Sequence, residues 1–401
     1  MTARGAPGSP TARTCLSVVR RLALATLPAL LAACYTRAAI DQPPPPEPLF
    51  FRALPYPTYD ADEGLAGHAL VGWRRAANRR PPPVSLAFGF DGRIATSGTR
   101  GLLFSYEAGG AWKNWRLLAV AGAERLNRVP FYGTGNNATI DDSLPTVFYR
   151  YQLLRSTLLA TVHRNVTRKV RVLAGAQWRH YRARPLPDSS LFGDLAAAGL
   201  ADTLGKSNVE LRAGLMFDTR NEEASPTRGV FLETMAARAV SGHDYTRYLV
   251  GAREFVHFGS LEQWVLGLRQ TAEVSTGTVP LHIAYERLTT WYPEDGFGGP
   301  TSLRLFAIGR FLAPNRSVFS ADLRYKALDA PFPTSPVRVW LLGFVDAGRL
   351  WNAGEQPTLR DLHWSTGLGG RLQFSKATIL GLDVGRNDEG FGFAVGTTFA
   401  F

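Results

Sequence analysis

Hydrophobic and polar positions alternate along most of this chain with a period of two. In Val209–Asp218 (VELRAGLMFD), Val209, Leu211, Ala213, Leu215 and Phe217 share one face, and Glu210, Arg212, Gly214, Met216 and Asp218 share the other. Leu362–Phe374 sets Leu362, Trp364, Leu368, Leu372 and Phe374 against His363, Ser365, Gly367, Gly369, Arg371 and Gln373. Val170–Arg179 and Trp264–Val274 behave likewise. The chain ends on GFGFAVGTTFAF, with Phe391, Phe393, Val395, Phe399 and Phe401 on one face and Gly392, Ala394, Gly396 and Ala400 on the other. Each pattern is a strand signature, and no helical period of useful length intervenes.

Sixteen segments are predicted as strands, near 49–60, 64–74, 84–93, 99–107, 114–125, 147–162, 168–181, 207–219, 228–240, 244–258 and 262–275, then, after a long insertion, 317–327, 336–351, 361–374, 376–386 and 390–401. Soluble sandwiches favour strands of about 5 to 6 residues, whereas about 9 to 11 are needed to cross hydrocarbon at a tilt. The predicted fold class is therefore all-β, a transmembrane antiparallel β-barrel of 16 strands with apolar faces toward lipid and polar faces inward. Trp115, Trp178, Trp264, Trp364 and Phe374 stand at strand ends on the apolar face, as aromatic girdles require. Phe401 fits the same face.

An even strand count places both ends of the barrel on the periplasmic side, and the last strand must pair with the first. An open edge in lipid would leave backbone groups unsatisfied at several kcal/mol each. The first strand contains Pro55 and Pro57, two positions apart, so both missing N–H groups fall on one edge. If that edge faces the last strand, a seam marked by Pro55, Pro57 and Phe401 loses ladder bonds. If it faces the second strand, the prolines make a local bend.

The composition, with 40 glycines, 11% aromatic and 19% charged residues, leans toward the same β reading. Residues 1–34 carry Arg4, Arg13, Arg20 and Arg21 and no acid, and an uncharged run follows from Leu22 to Thr36. That layout predicts a secretory signal too short to span a bilayer. Leu30–Cys34 (LLAAC) matches a lipobox and makes Cys34 a candidate for lipidation, while small residues near Ala39 suit ordinary cleavage instead. Residues 35–48, including PPPPEP, read as a Pro-rich periplasmic tether, and 49–401 as the barrel. Cys15 departs with the signal, so no disulfide framework is expected.

The net charge of +12 points to outer-membrane lipids as partners, since no basic stretch has the clustering of a nucleic-acid module. The seven histidines include no H-E-x-x-H, and there is no zinc-spaced cysteine pair, G-x-S-x-G elbow or Walker loop. No catalytic residue, metal or cofactor is expected, and no enzyme.

Four runs occur in order: FYGTGNN (Phe131–Asn137), SPTRGVFLE (Ser225–Glu233), FGGPTSLRLFAIGRF (Phe297–Phe311) and GFVDAGRLW (Gly343–Trp351). With the Phe-terminated last strand, they resemble the bacterial surface antigen barrel of the BamA/TamA superfamily over residues 49–401. The resemblance implies that a long extracellular loop folds into the lumen, where the arginine of a V/L-R-G-F/Y motif meets an aspartate of the following strands. The matching residues are Leu303, Arg304, Leu305 and Phe306, with Asp346 as the aspartate. An arginine inside a narrow lumen needs such a carboxylate, and bidentate geometry would fix the loop. Leu305 replaces the family's glycine, which predicts a different backbone conformation at the loop tip. The implied function is assistance in inserting or translocating proteins or lipids at the bacterial outer membrane, by a monomeric barrel. The alternative is a structural or pore-forming barrel with no assembly role. Cys34–Phe50 is too short for a POTRA domain, so a barrel-only member served by a separate periplasmic or POTRA-bearing partner is expected.

Overall fold

A computed structural model describes residues 49–60, 64–76, 84–112, 114–186, 189–199, 205–259, 263–330, 337–375, 378–396 and 399–401. The expected signal and tether, with Cys34, lie outside the described residues.

In chain order the strands are β1 (Phe50–Asp60), β2 (Gly64–Ala76), β3 (Val84–Ala95), β4 (Arg100–Trp112), β5 (Trp115–Pro130), β6 (Arg150–Asn165), β7 (Val170–Pro185), β8 (Lys206–Asp218), β9 (Gly229–Ser241), β10 (Tyr245–Phe258), β11 (Trp264–Gly277), β12 (Glu286–Arg287), β13 (Glu294–Asp295), β14 (Asn315–Ala330), β15 (Val337–Trp351), β16 (His363–Ser375), β17 (Thr378–Asn387) and β18 (Gly390–Gly396). All but β12 and β13 belong to one 16-stranded sheet whose neighbours follow sequence order, with every described ladder antiparallel. Each predicted segment is a strand. β4 and β5 run past their predicted ends because the ladder continues beyond irregularities at Ala108/Trp112 and Leu126/Val129, where the alternation of faces is lost.

The two faces are inverted relative to a water-soluble protein. Leu211, Leu368, Phe391 and Phe393 are exposed, while Glu210, Arg212, Ser365, Arg371 and Gln373 are buried. Trp115, Trp178, Trp264, Trp364 and Phe374 stand outward as the pattern required. The sheet is a barrel that turns its oily face outward and encloses a charged lumen. Short turns, such as that between β6 and β7, gather at one end. The connections 131–149, 278–314 and 352–362 lie at the other, the long-loop end. A short helix, α1 (Leu191–Ala197), capped by Ser190, packs there under Phe131 and Tyr151 through Phe192.

The last strand corrects one expectation. β18 stops at Gly396, and Phe399 is 4% exposed where Phe391 is 81% exposed. Phe399 lies 4.2 Å beneath the Arg324 guanidinium and edge-on to Trp340, and Phe401 lies 5.1 Å beneath Arg269. Arg269 also donates to the Ala400 carbonyl at 2.9 Å. Phe399 and Phe401 therefore enter the lumen instead of facing lipid. Arginine faces attract aromatic rings strongly once both are desolvated, which outweighs the alternation that would have carried these rings outward.

Candidate functional site

The site is built on the connection between β11 and β14, which folds inward. It opens with a one-turn helix, α2 (Leu281–Tyr285), and continues through the β12–β13 hairpin, where Glu286 pairs with Asp295 and Arg287 with Glu294. The following segment doubles back on itself. Gly299 N–H donates to the Phe306 carbonyl, and Ser302 Oγ both accepts from Gly298 N–H at 2.9 Å and donates to the Gly298 carbonyl at 2.7 Å. Gly298 has φ +112°, and a Cβ there would stand 2.2 Å from the Ala307 oxygen, so only glycine lets the two arms approach.

Arg304 occupies the tip and is fully buried. Its Nε and Nη2 donate to Asp346 on β15 at 2.7 and 2.6 Å, its backbone N–H donates to the same carboxylate at 3.1 Å, and Nη1 stands 2.8 Å from Asp322 on β14. The guanidinium also lies 3.9 Å from the Phe344 ring centroid. Asp322 is shared with Arg324 at 3.1 Å, so two buried arginines face two buried aspartates. That balance matters, because a buried charge is tolerated only when paired and hydrogen-bonded. The structure brings Arg304 and Asp346 together, and it adds Asp322, which sequence reasoning missed. A signal existed: Ser320, Asp322 and Arg324 alternate with Phe319, Ala321 and Leu323 along β14.

Leu305 overturns a second expectation. It sits at φ +70°, the left-handed conformation that a glycine would adopt without penalty. The side chain is buried among Phe255, Val265, Trp340 and Phe344, and its carbonyl accepts from Asn387 Nδ2 at 2.9 Å. Packing of the leucine offsets a backbone cost of about 1–2 kcal/mol. Phe306 packs with Phe297, Leu303 and Phe311 on the other side of the tip. On β18, a Cβ at Gly392 would stand 2.7 Å from the Leu305 oxygen, so the tip rests directly on the backbone of the last strand.

A ring of wall arginines holds the rest of the loop. Arg155 on β6 bonds both oxygens of Asp295 at 2.7 Å, and Arg179 on β7 pairs with Glu286. Arg247 on β10 bridges Glu273 and the Glu286 carbonyl, each at 2.6 Å, and Arg269 on β11 donates to the Thr301 and Ser302 carbonyls. For Asp295, burial would raise the carboxyl, but Arg155 outweighs it and holds the group below the usual range. From the short-turn end, residues 219–228 also fold inward: Glu223 bonds Arg116 at 3.0 Å and Ser225 accepts from Gln373 at 3.0 Å across the lumen. At the long-loop end FYGTGNN closes over the site, with Asn136 accepting from Leu350 N–H and its carbonyl 2.8 Å from His363 Nε2.

On β1, Pro55 stands opposite Ala69 and Pro57 opposite Gly67 in the β1–β2 register. Among the described residues no group of three or more His, Cys, Asp or Glu could hold a metal.

A barrel wall with a long connection folded inside and locked by a buried arginine defines a loop-plugged transmembrane barrel. The sequence matches the Omp85 superfamily domain over residues 128–399, and the chain belongs to that superfamily. Among solved structures it is similar to BamA from Haemophilus ducreyi lacking POTRA domains 1–3, with TM-score 0.57 and 18% identity over 88% of this chain and 70% of that one. It is also similar to CdiB from Escherichia coli, with TM-score 0.54 and 11% identity over 89% of this chain and 62% of that one. CdiB from Acinetobacter baumannii gives 0.50 and 14%, over 86% and 59%. The chain thus spans about six-tenths of the CdiB chains. No curated protein matches the sequence. None of the described residues forms a POTRA-like domain.

Proposed function

We propose that this chain is an outer-membrane barrel that assists insertion or translocation of proteins or lipids, opening at the seam between β1 and β18 while Arg304, Asp346 and Asp322 keep the loop in place. The observation that carries this reading is the last strand. β18 has seven residues, where the other strands of the sheet have 10 to 16, and residues 399–401 are drawn into the lumen. A last strand this short offers few ladder bonds to a partner, and Pro55 and Pro57 remove two donors from β1. The reading also rests on family membership, since Omp85 barrels such as BamA and CdiB reside in the outer membrane. A lumen filled by the loop, the 219–228 turn and the C-terminal residues argues against a wide diffusion pore. Capture of a substrate by strand addition would fall to a periplasmic or POTRA-bearing partner.

Cysteine pairs joining β1 to β18 test it. Oxidised, they are expected to abolish support of outer-membrane assembly in cells, and reduction should restore it. Depletion of the protein should lower many other outer-membrane proteins. A locked barrel that works as well as the free one excludes lateral opening. Unchanged outer-membrane proteins with altered solute permeability would establish a pore instead.

A further inference from the structure

Not every arginine of the barrel faces inward. The ladders align Ile94 on β3 with Arg100 on β4, Arg100 with Arg125 on β5, Arg125 with Leu154 on β6, and Leu154 with Arg182 on β7. Paired residues share a face, and Ile94 is 72% exposed, so this row is on the outer wall. All of its members lie within a few residues of the long-loop ends of their strands. None of the described residues gives Arg100, Arg125 or Arg182 a carboxylate partner, whereas each loop-bearing arginine inside has an acid or a carbonyl.

Beneath the row is a groove of about 1020 Å³. Its floor is made of small outward residues, Ala69, Gly92 and Ala123 among them, and its sides include Leu102 and Leu154. A side chain added at Gly67 would meet nothing within 4 Å, so the groove opens away from the wall. The acid that borders it, Glu124, belongs to the inward face and is engaged by Arg155 at 2.7 Å. Further from the long-loop end the outer wall is apolar, beginning with the Phe90–Phe104 pair at 5.1 Å.

A cation on the lipid face costs about 2–4 kcal/mol at mid-depth and about 0–1 near the interface. Three in one row at one end therefore mark the headgroup layer, and with no carboxylate on them among the described residues they call for anions from the membrane. We propose that this groove binds a phosphorylated, multiply acylated glycolipid of the lipid A type, with phosphates on Arg100, Arg125 and Arg182 and an acyl chain along the small-residue floor. Arginine suits the role because its fork bonds phosphate oxygens bidentately. Apolar sides select a lipid over free phosphate, and the volume is that of a large ligand cleft. The inference rests on the outer-membrane placement proposed above, with the long loops outward.

Native mass spectrometry of the full chain in detergent, titrated with diphosphoryl lipid A, tests it. We expect a one-to-one adduct whose occupancy falls at least tenfold in R100Q/R125Q/R182Q and also in A123F, which fills the groove and leaves the charges. R238Q, which removes an exposed arginine already paired with Asp244 at 2.7 Å, should bind as the wild type. Heat-dependent gel migration identifies the folded variants. The proposal is overturned if the folded triple variant keeps its adduct, if dephosphorylated lipid A binds equally, or if phosphatidylglycerol or inorganic phosphate displaces lipid A at equal concentration. Cell fractionation separates the two readings: a barrel found in the outer membrane that binds no lipid A refutes this inference alone.

Discussion

The wall from β6 to β16 and the last strand touch the same loop by different means. On the wall, Arg155, Arg179, Arg247, Arg269, Asp322 and Asp346 reach the loop through charge-assisted bonds. β18 has no charged residue, and it meets the loop through Gly392 against the Leu305 carbonyl and Gly396 against Pro300. β18 itself meets the loop through van der Waals contacts, and the nearest ion pair, Arg310 of the loop with Glu389 at 2.6 Å, belongs to the turn that leads into it. Moving the loop from the wall would uncover several buried charges at once. On the proposed reading, the plug is the rigid part and the seam the part that moves.

The comparison breaks most forcefully at Arg304. R304Q leaves Asp346 and Asp322 buried with one arginine between them, and removing one member of such a buried set costs about 3–5 kcal/mol. Urea unfolding followed by gel migration should register that loss, and D346N should cost more than D322N because Asp346 accepts three bonds from Arg304. Equal effects of the two asparagines would mean that the guanidinium is held by summed charge and not by the fork.

Leu305 sharpens the same contrast at the point where plug and seam meet. L305A and L305G remove the same buried side chain, but only glycine relieves the left-handed backbone, a difference of about 1 kcal/mol. L305A should therefore be the less stable of the two, by about that amount in an unfolding titration. If alanine proves the better substitute, the tip does not hold its positive φ in solution. G392V, in turn, drives a side chain into the Leu305 carbonyl and should loosen β18 by about 1–3 kcal/mol with the wall ion pairs intact. Protease sensitivity near the C-terminus, without release of residues 286–312, is the expected signature.

Much of this was legible beforehand. Period-two alternation is a local property, so it marked every strand of the sheet, and the direction of the oily face followed from strand length. Arg304 and Asp346 came from a family motif, and no spacing in the chain would have joined residues 42 positions apart. What escaped was fixed by partners distant in sequence. Phe399 and Phe401 continue the lipid-facing alternation, yet arginines from β11 and β14 draw them inward. The polar turn 219–228 gives no local sign that it crosses the lumen to Gln373. Leu305 predicted a changed backbone, because a glycine's conformation was assumed lost with the glycine, and burial of the replacement was not visible.

The smallest effect expected is one of pH, at the hairpin. Asp295 is held below the usual carboxyl range because Arg155 outweighs burial, so its folded state prefers the charged form. Its contribution is complete above the unfolded value of about 3.9 and is lost as pH falls through the lower folded value. Since its side chain is 33% exposed, water screens the pair and the loss is modest. A spin label at I308C, on an exposed part of the loop, should keep one mobility from pH 8 to pH 5 and gain mobility only below about pH 4. D295N should abolish that acid step and leave the neutral spectrum close to the parent, because Arg304 still fixes the tip. A step near pH 6 would instead implicate a histidine. The plug would then answer to imidazole rather than to the carboxylates that hold it in this structure.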